Sequence, residues 1–467
     1  MAVTLITNPN DHSSAFNPNL YLLNSSLKNN EGYRYIFEIH AGSPLSVVYR
    51  EIIPPRPNDG YGEIDPSRFL QDNISVNPNF TTLIGSFQMD AGNDFRYQFR
   101  VGEEYVHNYT YADTTFESGR VKITTATAHT FVAGDVVNII PNDVSIFPQF
   151  QGVFVVYSVP SSTTLIFDIT HVTTPLNPGV VTYADNRKTR VMESVVAEKM
   201  YAHNTAIQHA YWRKNAITNN YLYSSGLTRP FATTFKSGFK TSPNSPLFFN
   251  WIFANETSFN LKFQKAGGSI LTKSITMPSN TGSVLIDVAP KSPISGQLLF
   301  DGSTPYYDVW MDVGGAQRSP KIRINIDYSC SPNDSIILFQ DRLGSIQSLN
   351  FKGFSQRKID VKKEVYSAPL SLNNSGEYDA STAKGSTVIS SEQEDVITLN
   401  SYPYTREQDA VFEELISSKK TWLFNSNSDI QPVNISTSNI VIKDVKQGGL
   451  RVRTIDIKKS NTSMVNG

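Results

Sequence analysis

An all-β-dominated, multi-domain architecture is what this sequence predicts, and three observations predict it. Aromatic and aliphatic residues recur with a period of two: Tyr33, Tyr35, Phe37 and Ile39; Phe95, Tyr97, Phe99 and Val101; Phe259, Leu261 and Phe263; Ile322, Ile324 and Ile326. Successive strand side chains point to opposite faces, so this period describes sheets with one buried aromatic face and one wet face. Composition agrees, since 27 Gly, 25 Pro, 22 Tyr and 27 Phe accompany only 18% charged residues, a mix suited to strands and turns. Length is the third observation: 467 residues exceed the roughly 250 to 300 that one hydrophobic core serves.

Residues 1–116 together with 184–230 read as an N-terminal immunoglobulin- or fibronectin-like sandwich and a crossing segment. Pro57-Asn58-Asp59-Gly60 is a turn cluster, in which Pro presets its own φ and Gly supplies a positive one. Asp65-Pro66 puts an N-cap type ahead of a proline suited to the first helical turn, which predicts a short helix at Ser67 to Gln71. Residues 117–183 have their own grammar. Ala133-Gly134-Asp135 precedes Val136 to Ile139, Phe150-Gln151-Gly152 precedes Val153 to Val156, and Pro160-Ser161-Ser162 precedes Thr164 to Asp168. Short strands at spacings of about ten residues predict a small β-barrel-like module, and strand-like sequence on both sides marks it as an insertion.

The stretch Asn186 to Asn215 is compatible with two states: Val191, Val195, Val196, Lys199 and Met200 fit one helical face, while its β-branched and aromatic residues also fit extended chain. Tyr221 to Lys240 is rich in Ser, Thr and Gly around Pro230 and crosses between domains. Residues 231–334 predict a second sandwich or jelly-roll-like domain dense in aromatics, among them Phe248, Phe249, Trp251, Phe253, Tyr306, Tyr307 and Trp310.

Residues 335–467 predict a C-terminal β domain with one helix at 406–418. Thr405 with Gln408 three positions on makes a capping box, Val411, Phe412, Leu415 and Ile416 share a face, and Lys419 and Lys420 suit the negative end of the helix dipole. Strands are expected at Trp422 to Phe424, Val433 to Ile435, Ile440 to Ile442 and Leu450 to Val452, with a bulge or a change of buried face between Val452 and Ile455.

The chemistry-bearing vocabulary is sparse. A formal net charge of -1 gives no overall attraction to nucleic acid or anionic membrane. Cys330 is the single cysteine, which excludes an intrachain disulfide framework or a multi-thiolate zinc site and reads as a small core residue. Met1 to Phe16 lacks the basic and apolar regions of a secretory signal, and no stretch reaches the roughly 18 apolar residues of a membrane helix; folding in the cytoplasm without membrane insertion is expected. No nucleophile elbow, phosphate-binding loop, zinc helix or dinucleotide fingerprint occurs.

His203 and His209, six apart, fit no metal-ligand spacing, and the adjacent carboxylates Glu103-Glu104 and Glu413-Glu414 read as solvated pairs. A glycosidase would need two carboxylates about 5 to 10 Å apart across a cleft. Trp212 and Trp422 lie near element ends, where either core packing or a sugar-stacking shelf suits them. No catalytic, cofactor-binding or metal-binding residue is assigned, no cofactor is expected, and binding residues stay unassigned.

Several segments resemble virion proteins of tailed phages, especially those of Bacteroidota hosts. They are Asn17-Pro18-Asn19 with the strand Tyr33 to Ile39 and Pro57-Asn58-Asp59-Gly60-Tyr61-Gly62 leading to Asp65; Ser224-Ser225-Gly226-Leu227-Thr228-Arg229-Pro230; Phe339-Gln340-Asp341-Arg342-Leu343-Gly344-Ser345 with Phe351 to Lys362; and the C-terminal run through the Thr405-capped helix, Ser417-Ser418 and Trp422 to Ile457. The block with Thr127-Ala128-His129, Gly134-Asp135-Val136-Val137 and Gly152-Val153-Phe154 is similar to small β modules appended to such proteins.

The resemblance implies a non-enzymatic structural tail or tail-tip protein of distal-tail or baseplate type. It would self-associate in a symmetric ring, contact other tail, fibre or collar proteins, and be assembled in the bacterial host cytoplasm. A receptor- or glycan-binding tail protein that meets a host surface receptor is the alternative, with a collar or neck protein as a positional variant. A polysaccharide depolymerase is the reading from the enzyme class.

Overall fold

The computed structural model describes residues 3–30, 32–74, 77–89, 92–105, 108–117, 119–142, 152–168, 179–183, 189–193, 200–207, 216–294, 297–298, 303–329, 334–366, 375–376, 387–401, 409–426, 429–437, 452–459 and 463–464. Its secondary structure is dominated by strands, with four short helices among the described residues, and these belong to several sheets. The fold is all-β-dominated and multi-domain. Two compact units interleave along the chain: Met1–Pro9, Asn19–Pro66 and Arg96–Met200 form the first, and Asn10–Pro18, Ser67–Phe95 and Tyr201–Gly467 the second.

In the first unit a three-stranded antiparallel sheet, Val3–Thr7, Tyr21–Ser25 and Gly62–Ile64, faces a layer in which Arg34–Ala41 pairs with both Ser46–Ile53 and, through Gln98 to Glu104, the long strand Asp94–Tyr105. Tyr21 bridges the layers, its ring 4.7 Å from Phe37 and 4.9 Å from Phe99, with its hydroxyl 3.1 Å from that of Tyr97.

The expected wet face of Tyr33 to Ile39 is absent. Ile36, Glu38 and His40 are buried along with their neighbours. Glu38 tolerates this because it is paired: His40 Nε2 lies 3.0 Å from one oxygen and Arg50 Nε donates to the other at 2.6 Å. Gly60 has the positive φ, 71°, that its turn needs, and a Cβ there would lie 2.8 Å from the Lys28 side chain.

A closed barrel follows, of six antiparallel strands: Tyr109–Glu117, Arg120–Thr125, Val136–Pro141, Gly152–Ser161, Thr164–Phe167 and Gly179–Tyr183. It begins ahead of residue 117, because Tyr109–Glu117 closes the ring by pairing with Arg120–Thr125 on one side and Gly179–Tyr183 on the other. Closure removes free edges. Inward residues Tyr109, Tyr111, Val121, Ile123, Val137, Ile139, Val156, Leu165, Phe167 and Val181 fill the centre. After the barrel the chain is extended at Thr189–Glu193, which pairs antiparallel with Val101 to Tyr105. Thr189 stands opposite Tyr105, so the barrel occupies the tip of a hairpin. Extended chain, at Thr189–Glu193 and Met200–His203, is what the ambiguous 186–215 stretch forms where it is described.

In the second unit a large sheet runs in the order Gln356–Tyr366, Thr387–Asn400, Thr454–Lys459, Asp429–Ile435, Thr421–Ser426, Ser335–Gln340, Ile346–Phe351, Phe248–Ala254, Thr281–Asp287 and Phe87–Met89. It spans the 334/335 boundary expected from the sequence. A second sheet built on Ser258–Lys265, Ile270–Thr276, Tyr306–Val313 and Ile322–Ile326 packs against it. Phe249, Trp251 and Phe253 from one layer meet Phe259, Leu261, Phe263, Tyr307 and Val309 from the other in one core.

The helix Asp409–Ser417 lays Phe412 and Leu415 on Ile337, Phe339, Phe351, Leu399, Ile455 and Ile457. The expected Thr405 cap lies outside the described residues, as do Cys330, Trp212 and the strand at Ile440 to Ile442. Leu450 and Arg451 of the strand expected at Leu450 to Val452 lie outside the described residues, and Val452 is exposed ahead of the strand Thr454–Lys459. Ser67–Asn73 is helical, two residues beyond the expected end.

Candidate functional site

The densest polar constellation lies in the second unit, at the turn Asp341-Arg342-Leu343-Gly344-Ser345 between two strands of the large sheet. Asp341 is 3% exposed. One carboxylate oxygen accepts from the backbone N–H groups of Leu343 and Ser345, both at 2.9 Å. The other accepts from Thr234 N at 2.8 Å, Thr233 Oγ1 at 3.0 Å, Thr234 Oγ1 at 3.2 Å and Gln347 Nε2 at 2.8 Å. Burial pushes the Asp341 pKa up, and the Thr234, Gln347, Thr233 and Leu343 donors hold that rise back.

Gly344 is required here on two counts. Its φ is 89°, and a Cβ would stand 2.8 Å from both the Asn204 carbonyl oxygen and the Asn250 amide nitrogen. Ser345 Oγ then donates to Ala232 O at 2.8 Å and accepts from Asn250 N at 2.7 Å. Six donors on one carboxylate make this group a tie between its own turn and the Thr233-Thr234 segment; its lone pairs are directed at protein donors and away from any reactant.

Beside the tie is a cavity of about 170 Å³ lined by Phe16, Gln71, Ile74, Arg342, Glu414 and Lys419 among others. Glu414 accepts from the Arg342 backbone at 3.1 Å and pairs with its guanidinium at 3.3 Å, and burial raises its pKa. Lys419 lies 4.2 Å over the Phe16 ring. A second cavity, about 480 Å³, is lined by Asn244, Ser245, Asp287, Lys291, Phe424 and Asn425 among others. Asp287 is 1% exposed and accepts from Gly85 N at 2.5 Å and Ala289 N at 2.9 Å. Burial raises its pKa from 3.8 to about 6, against the opposing Ala289 and Gly85 N–H groups.

The histidine nearest His203 in sequence, His209, lies outside the described residues. His203 meets His12 instead, with His12 Nδ1 2.9 Å from His203 Nε2. Strand residues His12 to Ser14 pair parallel with Tyr201 to His203, and the rings of Tyr201, His12 and His203 stack at 4.8 and 5.2 Å. Burial lowers the His12 pKa to about 4. Among the described residues no three His, Cys, Asp or Glu side chains converge as a metal site would require.

Glu103 and Glu104, expected in solvent, are both buried. One Glu103 oxygen accepts from Ser25 Oγ at 2.8 Å and Tyr33 Oη at 2.9 Å. Glu413 is exposed and Glu414 half-buried. Trp422 packs edge-on to Phe80 at 5.3 Å, which makes it a core residue. The Asp341 partners Thr233 and Thr234 carry no sequence signal, since they lie 107 to 108 positions away and have ordinary residue types.

Two surfaces complete the inventory. Outward positions of the adjacent barrel strands Val136–Pro141 and Gly152–Ser161 form an exposed apolar band: Val136, Ile140, Val153, Val155 and Tyr157, with Val136 directly opposite Val155. In the second unit, strand Gln356–Tyr366 is exposed along nearly its whole length. No helix among the described residues is long and apolar enough to cross a membrane.

No protein-family model matches the chain, and no curated protein matches it. Among solved structures it is similar to a Salmonella alpha-2-macroglobulin mutant, at 8% identity and a TM-score of 0.16 over 98% of this chain and 27% of that one. It is also similar to Escherichia coli alpha-2-macroglobulin activated by porcine elastase, at 8% identity and a TM-score of 0.14 over 98% of this chain and 44% of that one. The chain thus spans less than half the length of either, and similarity at these scores carries no argument about fold or function.

Proposed function

We propose that the chain is a non-enzymatic structural component of a tailed-phage virion, a ring-forming tail or tail-tip protein that links the tail to fibres or host-facing parts. The observation that carries this reading is the barrel held at a hairpin tip with an apolar band on its outer strands. Contiguous exposed apolar surface marks contact with another macromolecule, and a closed module on a hairpin presents that surface without an open strand edge of its own. The best-organised polar group, Asp341, has its acceptor capacity filled by protein donors, in keeping with a scaffold. The resemblance of the Phe339 to Ser345 segment to virion proteins falls on the turn that builds this tie.

The test is immunogold labelling of particles that carry the chain, together with mass measurement of the purified protein across a concentration series. Gold at the tail and a ring-sized oligomer support the reading; particles without label overturn it.

The alternative, a receptor- or glycan-binding tail protein, is favoured by the same band, whose Tyr157 also stacks under Arg120 at 3.7 Å. Replacing residues 106–188 by an Asn-Gly turn, which the Tyr105–Thr189 register accommodates, separates the two. Loss of host adsorption with assembly retained selects the receptor reading, and loss of assembly selects the structural one.

A further inference from the structure

Strand Gln356–Tyr366 ends the large sheet. It pairs along one side with Thr387–Asn400, and among the described residues nothing pairs along the other. Ten of its 11 residues are exposed. Natural proteins guard such an edge with proline, a bulge or repelling charge. This edge has no proline, its one register shift against Thr387–Asn400 falls near its end, between Glu364 and Val365, where the extra residue is on the partner strand, and its charges alternate in sign along one face: Lys358, Asp360, Lys362 and Glu364. Lys358 and Asp360 are already 2.7 Å apart within the strand.

The alternation is self-complementary about Val361. When the strand pairs antiparallel with a second copy of itself centred on that residue, Lys358 stands opposite Glu364, Asp360 opposite Lys362, and each pair is made twice. On the other face Val361 meets Val361, with Ile359 opposite Lys363 and Arg357 opposite Val365, so aliphatic stems lie together. The neighbouring symmetric registers fail. Centring on Asp360 sets Asp360 against itself and Lys358 against Lys362; centring on Lys362 sets Lys362 against itself and Asp360 against Glu364. Opposite charges directly across a strand pair attract and like charges repel, so the sequence selects one register out of three.

We infer that two copies of this chain join edge to edge through Gln356–Tyr366, antiparallel about Val361, which makes the large sheet continuous across a two-fold axis. This interface is isologous and stands independently of any ring. The occupant is a second copy because the complementarity is to the strand's own charge order.

The experiment measures the dissociation constant of the full chain by sedimentation. Glu364→Lys places like charges opposite each other twice and weakens association about tenfold or more. The double variant Lys358→Glu with Glu364→Lys restores the opposite pairing and returns the constant to within about threefold of the parent. All these side chains are exposed, and circular dichroism controls for folding.

Register is read separately by oxidation. Val361→Cys brings two thiols directly opposite, within the Cα separation a disulfide accepts, and yields a covalent dimer. Ile359→Cys leaves the two thiols about 13 Å apart along the strands and yields none. A parent chain that stays monomeric, a double variant as weak as Glu364→Lys, or equal cross-linking at both positions overturns the proposal.

Discussion

Asp341 and Asp287 are the same residue type, both buried in the second unit, both beside a cavity, and they are held differently. Asp341 receives six hydrogen bonds, three from Thr233 and Thr234 and three from its own turn and the strand after it, whereas Asp287 receives two backbone N–H bonds. Burial raises both pKa values. The difference teaches that two interior carboxylates with the same burial can be tied into the fold by very different numbers of donors.

The largest effect expected from this comparison is at Asp341. Asp341→Ala leaves six donors without their acceptor and should cost about 3 to 5 kcal/mol of unfolding free energy, read from urea denaturation at neutral pH. A cost below about 1 kcal/mol would mean that the donors find other partners and that the tie is not what holds the turn.

The next effect is on pH. The folded-state pKa of Asp287 lies above the unfolded value, so the folded chain binds the extra proton between about pH 4 and 6. Its contribution is therefore present at low pH and is lost as pH rises through that window, about 3 kcal/mol in all. His12 has the opposite sign. Its folded pKa, about 4, lies below the unfolded value near 6.5, so its contribution is present above about pH 6.5 and is lost as pH falls toward 4, again by about 3 kcal/mol.

The two slopes offset each other in the native chain. Asp287→Asn should expose the His12 slope, with stability falling steeply below about pH 6.5, and His12→Gln should expose the Asp287 slope in the reverse direction. Denaturation midpoints across pH 4 to 7 check both; parallel curves for the native chain and the two variants would break the assignment.

The smallest effect sharpens the Asp341 tie itself. Thr234→Val removes one side-chain donor at 3.2 Å while its backbone donor stays, so the expected loss is about 1 kcal/mol, with no change in the shape of the pH profile.

Much of the fold is legible in the sequence where one face of a strand is buried. Phe259, Leu261 and Phe263 are buried while Asn260 and Lys262 are half-exposed, as the alternation requires. Legibility ends where both faces are covered. Glu38 and His40 look like the wet side of their strand, but both are buried and in contact, and the other Glu38 oxygen accepts from Arg50 of the next strand. The barrel boundary is missed for a related reason, because Tyr109–Glu117 reads as a continuation of the preceding strand and its closing partners lie elsewhere in the chain. In the Asp341 turn, Asp and Gly-Ser at short spacing signal the turn; Thr233 and Thr234, 107 to 108 positions away, cannot be inferred from it. The His12–His203 contact spans 191 positions and has no local signature at all.

That last separation also sets an order of events during synthesis. Residues Asn10–Pro18 belong to the second unit although the first unit runs on to Met200, and Asn17 bonds to Ile207 across 190 positions. At about 5 to 20 residues per second, the segment waits roughly 10 to 40 s on the ribosome before its partner strand exists. For that interval the nascent chain presents the strand His12–Ser14 with unfilled backbone pairing and an asparagine side chain without its Ile207 partner, a natural target for a chaperone or for a wrong partner.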